Sequence, residues 1–176
     1  SSVPDVDLAG GTRVIGSTVD MGAYESAVDD TVPTTLVVTN TGDNGGVNPA
    51  PNAGTGTLRQ AIVDANANPD FSTITFNIPN GSNCTHLILP VSTDLPNIVY
   101  GVRIDGFSQP GSAPNTRSAG DNATRCIVLD GSLGRTNGLV FAGASSQHMT
   151  LIGLAFEGFN PGGSTGAAVR IGGGSG

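Results

Sequence analysis

Apolar residues in this chain fall into short runs set apart by glycine, asparagine and proline. One segment carries a helical period. In Thr57-Leu-Arg-Gln-Ala-Ile-Val-Asp-Ala-Asn-Ala-Asn68, Leu58, Ala61, Ile62 and Ala65 stand at i, i+3, i+4 and i+7, the spacing of one buried helix face. Thr55 or Thr57 can supply the N-cap oxygen. Pro69 disfavours helical backbone at the residue before it. Arg59, Gln60 and Asp64 fall on the wet side. The spacing predicts a helix over 57–67 that lays a single apolar stripe on its neighbour.

The other runs are β-like. Thr35–Asn40 is rich in β-branched residues, which fit a pleated, half-buried surface. Further strands are predicted at Thr73–Ile78, His86–Leu89, Val99–Ile104, Cys126–Leu129, Gly138–Phe141, Met149–Phe156 and Ala167–Ile171, each bounded by turn residues. Two runs end in Asp-Gly, at Asp105-Gly106 and Asp130-Gly131, 25 residues apart. A loose period in the twenties, with glycine corners, marks a solenoid, whose turns stack because none buries its own inner face. The helix, between the first strand and the repeats, then covers the end of the stack. Ahead of these, Thr12–Gly16 and Val19–Glu25 read as short strand-like pieces. Residues 27–34, small, acidic and proline-containing, read as a linker.

Composition narrows the function. The 176 residues include 27 glycines and 11 prolines without a Gly-X-Y period, so the chain is turn-rich and not collagenous. All seven basic residues are arginine against 14 carboxylates, a net charge of -7. Such a chain lacks the clustered cations that phosphate contacts need, which argues against nucleic-acid partners and anionic membrane surfaces. No apolar run approaches the roughly 20 residues that span a bilayer, so membrane insertion is not expected. A hydrophobic share of 37% is too high for a wholly disordered chain. The chain is expected to be a mostly β protein with one core. Ser1 does not open a signal peptide, and the chain begins as a fragment or a mature product would.

Cys84 and Cys126 form no CxxC or Cys/His cluster, so zinc is not expected. Two cysteines in an acidic chain rich in Thr, Asn and Ser fit a secreted context and a Cys84–Cys126 disulfide, although spacing does not fix its geometry. Sequons at Asn80, Asn83 and Asn122 arise easily in this composition, and glycosylation is not inferred from them.

Four motifs, in this order, carry a family resemblance. They are Gly56-Thr-Leu-Arg-Gln-Ala-Ile62 with Asp64-Ala-Asn66; Ile74-Thr-Phe-Asn-Ile-Pro79; Ile104-Asp-Gly-Phe-Ser-Gln-Pro-Gly111; and Leu151-Ile-Gly-Leu-Ala-Phe156. Residues 35–176 resemble the start of a right-handed parallel β-helix of the pectate-lyase-like superfamily. More narrowly, they are similar to large bacterial secreted or cell-surface β-helix repeat proteins. The resemblance implies an all-β solenoid with one N-terminal capping helix. Val19-Asp-Met-Gly-Ala-Tyr-Glu25 resembles the sequence that closes such helices. Residues 1–26 are then the closing segment of a preceding module, with Val19, Met21, Ala23 and Tyr24 as assembly residues.

The function expected from this is a structural or adhesive extracellular module, secreted or at the cell surface, with no enzyme activity in this segment. It would associate head to tail with copies of itself or with adjacent modules, and could meet cell-surface glycans. The alternative is a polysaccharide-binding or polysaccharide-degrading β-helix. No catalytic residue and no cofactor is assigned. Asp105 and Asp130, if stacked on neighbouring turns, would make a carboxylate pair for glycoside hydrolysis or for calcium. The plainer reading makes each a corner residue bonded to its own backbone. Asp43, in Asn40-Thr-Gly-Asp-Asn-Gly-Gly46, is a third weak calcium candidate, without the ligand spacing of an EF-hand. His86 and His148 are too far apart to argue a triad, and His86 is expected to face solvent. Arg103 and Arg135 could hold a sugar-acid carboxylate or pair with surface acids. Phe107 and Phe159 follow glycine corners, where they stack on sugars or pack the corner.

Overall fold

The computed structural model describes residues 14–15, 18–19, 34–43, 55–79, 84–91, 93–142, 148–159 and 166–172. The chain divides into two units, Ser1–Pro33 and Thr34–Gly176. In the first, β1 (Val14–Ile15) and β2 (Thr18–Val19) pair antiparallel, with Val14 opposite Val19.

The second unit runs β3 (Thr34–Val38), α1 (Leu58–Ala67), β4 (Ser72–Phe76), β5 (His86–Ile88), β6 (Val102–Asp105), β7 (Ile127–Asp130), β8 (Leu139–Phe141), β9 (Met149–Ile152), β10 (Leu154–Glu157) and β11 (Val169–Ile171). These strands form three small parallel sheets, ordered β3-β4-β6-β9, β5-β7-β10 and β8-β11. A parallel bridge from Ile98 to Phe141 extends the third. Register aligns like with like. Leu36, Ile74, Ile104 and Leu151 form one row, and Ile88, Leu129 and Phe156 another. Side chains alternate along each strand, so Ile74, Ile104, Ile127 and Leu129 are wholly buried while Thr73, Thr75 and Arg103 are not.

Helix α1 starts where Thr57 caps it: the Thr57 hydroxyl accepts the Gln60 N–H at 3.1 Å. Leu58, Ala61, Ile62 and Ala65 are buried, and the helix packs on β3 and β4. The run Met149–Phe156 is two strands rather than one. Gly153 breaks it with φ +74°, and a Cβ there would collide with the backbone of Phe107. That corner carries the chain from the first sheet to the second. Cys84 and Cys126 form a disulfide across Cα atoms 5.1 Å apart, just ahead of the paired strands β5 and β7.

The expected all-β, right-handed parallel β-helix is corrected by these findings. The architecture is mixed α/β, with short parallel strands in small sheets and one helix. The strands of the first sheet begin at residues 34, 72, 102 and 149, so no regular rung repeats. The Asp-Gly recurrence taken for a period joins two different sheets, since Asp105 ends β6 and Asp130 ends β7. Turn chemistry recurs there because each strand needs a corner.

Candidate functional site

Asp105 and Asp130 do not stack. Asp105 registers with Thr75 and Ile152, whereas Asp130 registers with Glu157. Each serves its own corner. Asp105 accepts the Phe107 N–H at 3.0 Å and the Arg103 guanidinium at 2.8 Å. Asp130 accepts the Ser132 N–H at 2.8 Å and the Ser132 hydroxyl at 2.9 Å. Asp and Ser bonding to nearby backbone is turn chemistry. Arg135 turns back on its own loop and donates to the Leu133 carbonyl at 3.1 Å. Its Nε is buried without a hydrogen-bond partner among the described residues.

Asp43 meets a cation of the chain itself. Its side chain and that of Arg59 are 2% and 4% exposed. Arg59 Nε donates to Asp43 Oδ1, and Nη2 donates to Oδ2 at 3.1 Å. The Val91 N–H also donates to Asp43 Oδ2, at 2.9 Å. Arg59 further donates to the Thr93 and Asp94 carbonyls, at 3.0 and 3.1 Å. The placement of Arg59 on the wet side of the helix is therefore corrected. The planar guanidinium reaches a carboxylate and two carbonyls at once, as its fork of donors allows. The Asp94 carboxylate continues the network, accepting the N–H groups of Thr136 at 3.1 Å and Asn137 at 3.0 Å. Asn137 Oδ1 in turn accepts the Ala167 N–H at 3.3 Å.

His86 is buried, not solvent-facing. It lies beside Gln109, whose side-chain amide takes the place of a strand neighbour. Gln109 Oε1 accepts the Ile78 N–H at 2.8 Å, and its Nε2 donates to the Ile78 carbonyl at 2.8 Å. The same Nε2 lies 3.2 Å from His86 Nε2. An amide nitrogen only donates, so in this contact His86 Nε2 is placed as the acceptor. His148 is exposed, and its carbonyl accepts the Val102 N–H. Phe159 lies against Gly131 and Gly138, where added Cβ atoms would crowd its ring, and pairs with Phe156 at 6.4 Å between centroids. It packs the corner.

Residues 110–125 make a surface feature that the hydrophobic pattern did not signal. Nearly all of them are exposed. Ala113 and Thr124 close the loop with two backbone hydrogen bonds of 3.0 and 2.8 Å. Inside, Asn115 Oδ1 accepts the N–H groups of Arg117 and Asn122, both at 3.1 Å. Its Nδ2 donates to the carbonyls of Arg117 and Gly120, at 3.1 and 3.2 Å. Asn122 grips both the backbone and the hydroxyl of Thr116. The Ala123 N–H and the Arg125 guanidinium hold the Asp121 carboxyl below the usual aspartate range. Asn115 ahead of, and Asn122 within, an Asp121–Arg125 pair at i, i+4 were the available signal, since Asn and Asp side chains readily build local turns.

Val19 lies in β2, while Met21, Ala23 and Tyr24 lie outside the described residues, as do Asn80 and Asn83. Among the described residues no group of three His, Cys, Asp or Glu is placed to hold a metal ion. No described helix is long and apolar enough to cross a membrane. No family model, curated protein or solved structure matches the chain.

Proposed function

We propose that this chain is a structural or adhesive module, secreted or displayed at a cell surface, whose partners are further copies or adjacent modules and surface glycans. One observation carries this reading. The carboxylates that would serve chemistry already serve the scaffold: Asp43 holds Arg59, Asp94 holds residues 136–137, and Asp105 and Asp130 hold their own corners. A general acid or a nucleophile needs a carboxyl free to meet substrate. The disulfide supports an oxidising compartment. The exposed loop 110–125 supports the adhesive part, because its ordering has a large entropic cost with little burial in return, and a preorganised loop binds at lower cost.

A panel of neutral and acidic polysaccharides tests the reading. The expected result is no depolymerisation by the wild type. Asp105→Asn and Asp130→Asn are expected to lower thermal stability and nothing else. Sugar release that disappears in either variant would overturn the structural reading in favour of a polysaccharide-degrading enzyme.

A further inference from the structure

Most of the described arginines are occupied. Arg59 is buried against Asp43, Arg103 pairs with Asp105, and Arg135 turns back on the Leu133 carbonyl. Arg117 differs. It is exposed, and among the described residues its guanidinium makes no hydrogen bond or ion pair. Its backbone is nevertheless fixed at both polar groups. Asn115 Oδ1 accepts the Arg117 N–H, and Asn115 Nδ2 donates to the Arg117 carbonyl, both at 3.1 Å. The same Asn115 holds the Gly120 carbonyl and the Asn122 N–H. A side chain projected from a fixed backbone leaves less freedom to lose when it meets a ligand.

Arg125 stands in the same loop. Its guanidinium pairs with Asp121 at 2.8 Å, with side chains 38% and 53% exposed. An exposed pair of this kind contributes little to stability, so an incoming anion competes for Arg125 at small cost. Residues 110–125 thus hold two arginines against one carboxylate, in a chain whose net charge is -7. The Debye length in physiological salt is about 8 Å, so the acidity of more distant surface is largely screened. The remaining side chains of the loop select the kind of anion. They are Ser, Thr, Asn, Ala and Pro, with no aromatic and no large aliphatic residue. A protein partner is held by buried anchors, typically aromatic, and the loop offers none. Anionic membranes and nucleic acids reward cations clustered several together. A glycan bearing carboxylates or sulfates presents single oxyanions among hydroxyls. An arginine fork fits the first, and short hydroxyl and amide side chains fit the second.

We propose that loop 110–125 is a binding site for an anionic glycan, with Arg117 as its first contact and Arg125 as a second that exchanges Asp121 for the ligand. The inference deepens the adhesive reading above, naming the class of glycan and the residues that meet it, and rests on it. The Asp121 carboxylate is then a competitor. Its two oxygens have separate duties, Oδ1 accepting the Ala123 N–H and Oδ2 the Arg125 guanidinium. Asp121→Asn keeps an oxygen for the first and releases the second.

Titration calorimetry of the full chain with hyaluronan, dextran sulfate and neutral dextran tests this. Hyaluronan carries carboxylates, dextran sulfate carries sulfates, and dextran carries neither. The chain is expected to bind at least one of the acidic polymers, more weakly as salt is raised, and not to bind dextran; the acidic polymer that binds more tightly identifies the anion. Arg117→Gln, at a side chain that touches nothing in the fold, is expected to melt like the wild type and to bind at least about tenfold more weakly, a difference of about 1.4 kcal/mol. Asp121→Asn is expected to bind more tightly, which a merely structural role for Asp121 would not produce. Polyglutamate and phosphatidylserine vesicles are expected not to bind. A wild type that binds neither acidic polymer overturns the proposal. So does dextran bound as tightly, an Arg117→Gln variant that binds like the wild type, or equal binding to polyglutamate or to the vesicles. Failure here with inert polysaccharides removes the glycan site and leaves the structural reading standing. Polysaccharide cleavage by a protein that binds through Arg117 does the reverse.

Discussion

Arg59 and Asp43 form an ion pair whose side chains are both almost wholly buried. On a helical wheel Arg59 falls outside the stripe of Leu58, Ile62 and Ala65, and an arginine there is assigned to water. Its partner Asp43 lies 16 residues earlier in a glycine- and asparagine-rich stretch, and no local pattern links the two. His86 failed in the same way, since the amide that satisfies it comes from Gln109, 23 residues on. Buried polar groups are placed by distant partners, and the sequence neighbourhood does not record them. The Arg59–Asp43 pair yields a prediction at this scale. Asp43→Ala leaves a buried cation unpaired and should cost about 3–5 kcal/mol in urea unfolding, as should Arg59→Ala. The double variant should lose clearly less than the sum, because neither charge is then stranded. A purely additive cycle would mean that the two side chains do not depend on each other. Asp121 gives a gentler test. Its folded pKa is depressed, first by the Ala123 N–H and then by Arg125. Its support of the loop is therefore complete above the ordinary aspartate pKa and is lost as pH falls through the lower folded value. An NMR titration should place the Asp121 midpoint below that of an aspartate in an unstructured peptide, and Arg125→Gln should move it upward.

Elements were far more legible than residues. Strands announce themselves by β-branched runs between turn residues, and these signals are local. The helix was readable for the same reason: one apolar stripe, a threonine at its start and a proline behind it. What the pattern missed inside these runs was the break at Gly153, because glycine in an apolar run is ambiguous between a bulge and a corner. Its positive φ and the crowding by Phe107 decide for the corner. Gly153→Ala should accordingly destabilise by more than the roughly 1 kcal/mol typical of a substitution. For the helix, Ile62→Asp buries a charge with no partner against β3 and β4 and should cost several kcal/mol. Thr57→Ala removes only the cap and should cost about 1 kcal/mol. Thermal melts order the two: if Ile62→Asp melts within a degree of wild type, the helix contributes nothing by its buried stripe.

For the whole molecule, parallel stacking of strands under one helix could be read ahead of the structure, but regularity could not. A period argued from two Asp-Gly pairs mistook recurring corner chemistry for recurring geometry. The connections between strands of one sheet differ in length, and one holds the loop of residues 110–125, which no hydrophobic pattern marks because it buries so little. Cys84 and Cys126 bind that loop to the body. The disulfide spans a sequence separation of 42, joins the chain just before β5 to the chain just before β7, and stands at the foot of the loop. On the chain-entropy model it restricts the unfolded state by about 3–4 kcal/mol. Reduction, or a Cys84→Ser/Cys126→Ser double variant, should lower unfolding free energy by that amount in urea. The local effect should come first. Hydrogen exchange at Ala113 and Thr124, whose mutual backbone bonds close the loop, should accelerate under reductant in conditions where α1 and β6 remain protected. Were all these sites to lose protection together, the disulfide would hold the fold as a single unit rather than the loop to a body that stands without it.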